Sequence, residues 1–145
     1  MPKTLLAIDD STTMRKVLEI TFAGEDFRVV AADSSQKALA GLSEGPVAAV
    51  IDAALEGGID GYALAKELRE RDPRLAIVLL ASRYNPYDAN RGREAGADDY
   101  ADKPFDTQTL IDKVKKAILT RENTRQAPVA APPAPAPQVV AQIGT

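Results

Sequence analysis

The chain has 145 residues, enough for one domain with a full core and little beyond it. Its 18 basic and 21 acidic residues give a formal net charge of −3 with no Lys/Arg-rich block, which argues against a nucleic-acid-binding surface. There is no cysteine and no histidine, so disulfides, thiol chemistry, Ser-His-Asp triads, imidazole catalysis and histidine phosphotransfer on this chain are excluded, and any metal must be held by oxygen.

From the N-terminus, "TLLAI" (Thr4 to Ile8) is a continuous apolar run, as a strand buried on both faces requires. A helix follows, with Met14, Val17, Leu18, Thr21 and Phe22 at helical spacing and a stop at Gly24. "FRVVAA" reads as a second strand. "SSQKALAGLSEGP" reads as a helix capped by Ser34 or Ser35 and ended by Gly45-Pro46. "VAAVI" (Val47 to Ile51) is a third, wholly apolar strand.

After the glycine-rich "EGGIDG", Tyr62 to Arg71 reads as a helix ended by Asp72-Pro73. "LAIVLLA" is a fourth buried strand, and a short helix is expected from near Pro86 to Gly96. "DDYAD" gives a brief fifth strand. Asp106 then caps a long last helix with an apolar stripe of Leu110, Ile111, Val114, Ala117 and Ile118. Five strand–helix units in about 120 residues predict a doubly wound α/β fold, a five-stranded parallel sheet covered on both sides. Residues 1–123 form the expected domain. From Thr124 the composition turns to "TRQAPVAAPPAPAPQVVAQIGT", expected to be an extended, disordered Ala/Pro-rich tail.

In such a sheet, function collects at the carboxyl ends of the strands, where the strand order reverses. Asp9 and Asp10 follow the first strand and Asp52 follows the third. With the flavodoxin-like order 2-1-3-4-5 those strands are neighbours, and the three carboxylates converge on one place. Taken singly, each aspartate reads as an ordinary helix cap. Together they form a cluster that does not stay ionised without a cation. Lys103, after the fifth strand in "YADKPF", is placed to reach the same point.

"AIDDSTTMR", the lone Asp52, "DGYALAKELR", "AGADDYADKPF" and the final amphipathic helix resemble a response-regulator receiver domain over about residues 3 to 122. "DDSTTMR" is similar in flavour to stand-alone, chemotaxis-type receivers. The resemblance implies a two-component phosphoacceptor. Asp52 would take a phosphoryl group from a phosphohistidine on a sensor histidine kinase or phosphotransfer protein, and the domain, not otherwise an enzyme, would catalyse its own phosphorylation and dephosphorylation. It implies one Mg²⁺ held by Asp10, Asp52 and the main-chain carbonyl of Ala54, with Asp9 holding water in the outer part of the site. Lys103 would pair with phosphoryl oxygens as a point charge. A cis Lys103-Pro104 bond is expected on the same grounds.

Three positions depart from the family pattern. A hydroxyl residue usually ends the fourth strand and bonds the phosphoryl group. Counting back without gaps puts Ala81 there, whereas a one-residue deletion in the next loop puts Ser82 there. The loop "DAALEGGIDG" has one residue more than usual and lacks the customary proline. Ala54 has no polar side chain with which to orient a hydrolytic water. Tyr100 matches the aromatic that changes rotamer in many receivers, or is simply a half-buried strand tyrosine. Arg83, Arg91 and Arg93 form either a partner patch or a solvated face.

An aspartyl-phosphate phosphatase would need an acid two residues after its nucleophile, where Thr12 stands after Asp10, and an FMN phosphate would be repelled by Asp9 and Asp10. The remaining alternative is an atypical receiver acting as a phosphorylation-independent protein-interaction module. Output is expected through a downstream target protein docking on the face of the fourth helix, fifth strand and last helix, with no nucleic acid bound. No apolar run reaches bilayer length and "MPKTLLAIDD" is too short in its apolar part for a secretory signal, so a cytoplasmic, single-domain protein without membrane insertion is expected.

Overall fold

The computed structural model describes residues 2–56 and 58–126. Five strands, β1 (Lys3–Ile8), β2 (Phe27–Ala32), β3 (Ala48–Asp52), β4 (Ala76–Ser82) and β5 (Asp99–Lys103), pair in parallel in the order β2-β1-β3-β4-β5. They alternate with α1 (Thr12–Ala23), α2 (Ser35–Ala40), α3 (Gly61–Arg71), α4 (Ala89–Ala95) and α5 (Thr107–Gln126). This is the flavodoxin-like doubly wound sheet that the sequence predicts.

The unbroken apolar strands are explained by two cores, one on each face. On one face Leu5, Ala7, Val50, Val78 and Leu80 meet Leu18 and Phe22 of α1 and Leu110 and Val114 of α5. On the other, Leu6, Ile8, Ile51, Ile77 and Leu79 meet Leu64 and Leu68 of α3 and Ala95 of α4. Alternate residues of β1, β3 and β4 serve opposite cores, so these central strands are apolar on both faces, whereas the edge strands β2 and β5 carry exposed polar residues.

Each helix begins with an oxygen cap. Ser11, Ser34, Asp60, Asp88 and Asp106 accept from the backbone N–H of Met14, Lys37, Ala63, Arg91 and Thr109 respectively. A cap of this kind contributes about 1 kcal/mol. Ser34, rather than Ser35, is therefore the cap of α2.

Several boundaries move from their expected places. The second predicted helix changes at Gly41 into a 3-10 turn, Gly41–Glu44, where the glycine abuts the Leu6 side chain. α4 starts at Ala89 because Asp88 is its cap and Tyr87 packs against the core. α5 continues to Gln126, beyond the expected boundary at Thr124. Arg and Gln there are good helix formers, and the helix is tied down by Arg121–Asp98 and Lys3–Glu122 pairs. The Ala/Pro-rich stretch from 127 onward lies outside the described residues. Among the described residues, no helix is long and apolar enough to cross a membrane.

At the amino end of the sheet, Asp98 ties three elements together. One carboxylate oxygen pairs with Arg69 of α3 at 3.1 Å and also accepts the Ile77 N–H, while the other pairs with Arg121 of α5 at 2.8 Å. All three side chains are largely buried, at 12–23% exposure. Arg69 also donates to the carbonyls of Gly96, Pro73 and Leu75. Asp98→Ala would leave two guanidiniums without their counter-charge, and should cost about 3 kcal/mol of unfolding free energy. Urea denaturation at neutral pH checks this: the midpoint falls while the slope stays that of the native chain.

Candidate functional site

Parallel strands all end on the same edge, so residues that follow them meet there. Ile8 of β1 is level with Ile51 of β3, which brings Asp9 alongside Asp52, the last residue of β3. Lys103 ends β5 opposite Ser82 of β4, and its side chain extends past the end of β4 toward the two carboxylates. Its Nζ lies 2.9 Å from Asp9 Oδ2 and 3.5 Å from Asp52 Oδ1.

The three aspartates are not equivalent. Asp9 is fully buried and both its carboxylate oxygens are engaged, Oδ1 by the Ser11 N–H at 2.9 Å and Oδ2 by Lys103. Asp52 is buried and its Oδ1 accepts the Ala54 N–H at 3.1 Å. Asp10 is exposed, and its Oδ2 accepts the Glu56 N–H at 3.3 Å, linking the β1–α1 loop to the β3–α3 loop. One oxygen from each of Asp9, Asp10 and Asp52 falls within 4.8 Å of the others.

Three carboxylates and one ammonium leave this corner two negative charges in excess. Burial, and then the Asp9 charge, push the Asp52 carboxyl above its ordinary value; Lys103 and the Ala54 N–H pull the other way, and Asp10 adds to the rise. An all-oxygen donor set with that excess charge suits a hard divalent cation.

The backbone around the acids is shaped to hold them. A Cβ at Gly61 would overlap the carbonyl oxygen of Asp52 and the backbone of Ala53, so only glycine lets α3 start this close to the end of β3. Ala54 lies in the turn after Asp52 and lines, with Glu56, Asp60, Tyr84, Asn85 and Arg91, a cavity of about 470 Å³ between the β3–α3 and β4–α4 loops. The Lys103-Pro104 peptide is cis, as expected from the sequence.

At the end of β4, Ala81 is buried opposite Asp102 and Ser82 is half-buried. Ser82 exchanges backbone hydrogen bonds with Asn85, and its Oγ accepts the Asn85 N–H at 3.2 Å. Neither residue is hydrogen-bonded to Asp52 or Lys103 here. Asp52 sits level with Leu80, so Ala81 and Ser82 stand one and two residues beyond it.

Tyr100 belongs to an aromatic file that the sequence does not announce. Its ring stacks on Tyr87 at 3.9 Å between centroids and 4° between planes, and Tyr87 lies 6.0 Å from Tyr62. Arg91 caps one end, 4.5 Å from the Tyr62 ring, and Lys113 stands 5.6 Å from Tyr100 at the other. Arg91 is also paired with Asp60 at 2.8 Å, so it is committed within the domain and does not join a free patch with Arg83 and Arg93. The three tyrosines come from α3, the β4–α4 loop and β5, so no local spacing marks them as a set.

With the fold and the acidic corner defined, the match to known proteins is specific. Residues 5–115 match the model of the response regulator receiver domain, and the chain belongs to that family. It is 36% identical over 119 residues to the transcriptional regulatory protein AfsQ1 of Streptomyces coelicolor, covering 81% of this chain and 52% of that protein. It is 32% identical over 122 residues to the alkaline phosphatase synthesis transcriptional regulatory protein PhoP of Bacillus subtilis, covering 83% and 50%. The chain thus spans about half the length of these relatives. Among solved structures, the receiver domain of NtrX from Brucella abortus superposes with a TM-score of 0.72 at 26% identity, over 80% of this chain and 98% of that one. A CheY-like receiver domain protein from Methanospirillum hungatei shares the fold, with a TM-score of 0.76 at 23% identity over 86% and 99%.

The raised Asp52 pKa carries a sign for stability. A carboxyl whose pKa is higher in the folded state favours folding while protonated and opposes it once the pH rises through that folded value. Asp52→Asn, which keeps the size and removes the charge, should therefore be more stable than the native chain at pH 7 without added divalent ions. The difference should shrink as the pH falls through the folded pKa toward the unfolded value near 3.8. Chemical denaturation of both proteins across pH 4 to 8 measures it.

Proposed function

We propose that this domain is a phosphoacceptor in a two-component system, with Asp52 as the acceptor and a phosphohistidine on a sensor histidine kinase or phosphotransfer protein as the donor. The observation that carries this reading is the Lys103 ammonium lying within reach of both Asp52 and Asp9, in a corner that still has two negative charges too many. In the transfer, an Asp52 carboxylate oxygen forms the new P–O bond as the donor's P–N bond breaks. Lys103 would turn from the carboxylates to the phosphoryl oxygens as charge shifts onto them.

Mg²⁺, held by Asp10, Asp52 and the Ala54 carbonyl with Asp9 acting through water, would neutralise the incoming phosphoryl oxygens. Asp9, whose carboxylate is already bonded on both oxygens, acts from the outer layer by holding Lys103 and the β1–α1 turn in place. Ser82 is our candidate for the hydroxyl that contacts the phosphoryl group, which requires its Oγ to leave the Asn85 N–H. That exchange would reorder the β4–α4 loop and so disturb the Tyr87–Tyr100 stack.

The signal would leave through the face formed by α4, β5 and α5, where Tyr100 is partly exposed, toward a downstream protein. The regulatory names of the relatives support a signalling role, and a cytoplasmic setting suits a kinase partner.

Incubation with a small phosphodonor and Mg²⁺ should add one phosphoryl group by intact-mass spectrometry. Asp52→Asn should add none, and Lys103→Ala should slow the reaction by about a hundredfold or more, as loss of a preorganised charge at a transferring group does. Addition to Asp52→Asn at the native rate contradicts the assignment. On the output side, Tyr87→Ala should free the Tyr100 ring, seen by NMR as sharper and averaged ring resonances in the unphosphorylated protein. A Tyr100 spectrum unchanged in that variant would rule out the stack as its support.

A further inference from the structure

Arg15 closes the first turn of α1 and folds back on the loop before it. Its Nη1 donates to the Asp9 carbonyl at 2.7 Å, and its Nη2 to Thr12 Oγ1 at 3.2 Å. The Asp9 carbonyl belongs to the peptide that joins Asp9 to Asp10, so this contact sets the plane from which Asp10 projects. The N–H of Asp9 is bonded to Ala32 O at 3.1 Å, and its carboxylate to Ser11 and Lys103. Every polar group of Asp9 is therefore held. Asp10 is exposed, and among the described residues its carboxylate is steadied by one long hydrogen bond, from the Glu56 N–H at 3.3 Å.

Charge draws Arg15 toward this acidic corner and toward Asp33, but the same charge works against a second cation entering the corner. A fixed cation beside a cation-binding corner repels the ion that the corner is built to attract. A guanidinium, however, is a planar fork that grips two oxygens in a defined orientation, which an ammonium does not do. We propose that Arg15 is a positioning residue: it clamps the Asp9–Asp10 peptide so that the Asp10 carboxylate faces Asp52, and this gain outweighs its electrostatic opposition to the bound cation. The inference rests on the reading of the corner as a divalent-cation site.

The two effects have opposite signs, which makes the test sharp. The probe is Mg²⁺ alone, titrated by NMR into the full chain and into Arg15→Ala and Arg15→Lys, with circular dichroism as the check on folding. Hydrogen exchange of the Ser11 and Glu56 amides is measured without Mg²⁺ as an independent readout of loop order. Clamping predicts Mg²⁺ affinity weaker by about tenfold in Arg15→Ala, the scale expected when an outer hydrogen-bond partner of a metal site is lost. It also predicts little rescue by lysine and faster exchange at both amides in both variants. Tighter Mg²⁺ binding in Arg15→Ala, or native affinity in Arg15→Lys, overturns it. If Mg²⁺ binds none of the three proteins, the cation-site reading fails separately, and the exchange data then decide the clamp: faster exchange in the variants upholds it, unchanged exchange refutes it. Should Arg15→Ala not fold, the same two readouts on Arg15→Lys carry the decision.

Discussion

Carboxylate repulsion at the end of a buried sheet governs how the rest of this molecule is arranged. Two unit charges about 4 Å apart interact by about 4 kcal/mol at an effective dielectric constant near 20, and a whole domain is stable by only about 5–15 kcal/mol. Asp9 and Asp52 are brought side by side by the ladder between β1 and β3, and both are buried. One ammonium, from Lys103, offsets part of that cost. What it leaves unbalanced is the property through which the site would act on a cation and a phosphoryl group.

The two ends of the sheet show how the fold accommodates this. At the amino end one carboxylate, Asp98, is held between two guanidiniums, with its spare oxygen lone pair on the Ile77 N–H. There two guanidiniums face one carboxylate, and the cluster fastens α3 and α5 to the strands. At the carboxyl end the excess is negative and the supports are loops. Stability and the proposed reactivity thus fall at opposite edges of one sheet, joined by the apolar central strands β1, β3 and β4. The close approach of Gly61 to Asp52 and the Arg15 contact with Asp9 serve the same end, by fixing backbone where side chains repel.

Much of this was legible in the residues. The uninterrupted apolar runs of β1, β3 and β4 announce a sheet covered on both faces, and adjacent aspartates after such a run announce a site. Caps make the helix starts readable, although Ser34 and Ser35 are equivalent candidates in the sequence and only the hydrogen bond from the Lys37 N–H to Ser34 distinguishes them. Pro86 suits a first turn and so points to an earlier start for α4, whereas the inward packing of Tyr87 delays the helix to Ala89. The aromatic file of Tyr62, Tyr87 and Tyr100 was invisible because its members are joined by tertiary packing rather than spacing. The partners of Arg15 and Arg91 were hidden for the same reason: a surface arginine in a sequence does not say which carbonyl or ring it will reach.

The central claim is that the Asp9, Asp10 and Asp52 corner is destabilised by its own charge and relieved by a divalent cation. Thermal unfolding of the native chain and of Asp10→Asn, each with and without millimolar Mg²⁺, tests it most directly. The account predicts that Mg²⁺ raises the melting point of the native chain by several degrees, about 1.4 kcal/mol at a tenfold excess over its dissociation constant. Asp10→Asn should melt higher than the native chain without Mg²⁺ and respond little when it is added. A native chain indifferent to Mg²⁺, or an Asp10→Asn protein that responds to the ion as strongly as the native one, would contradict it.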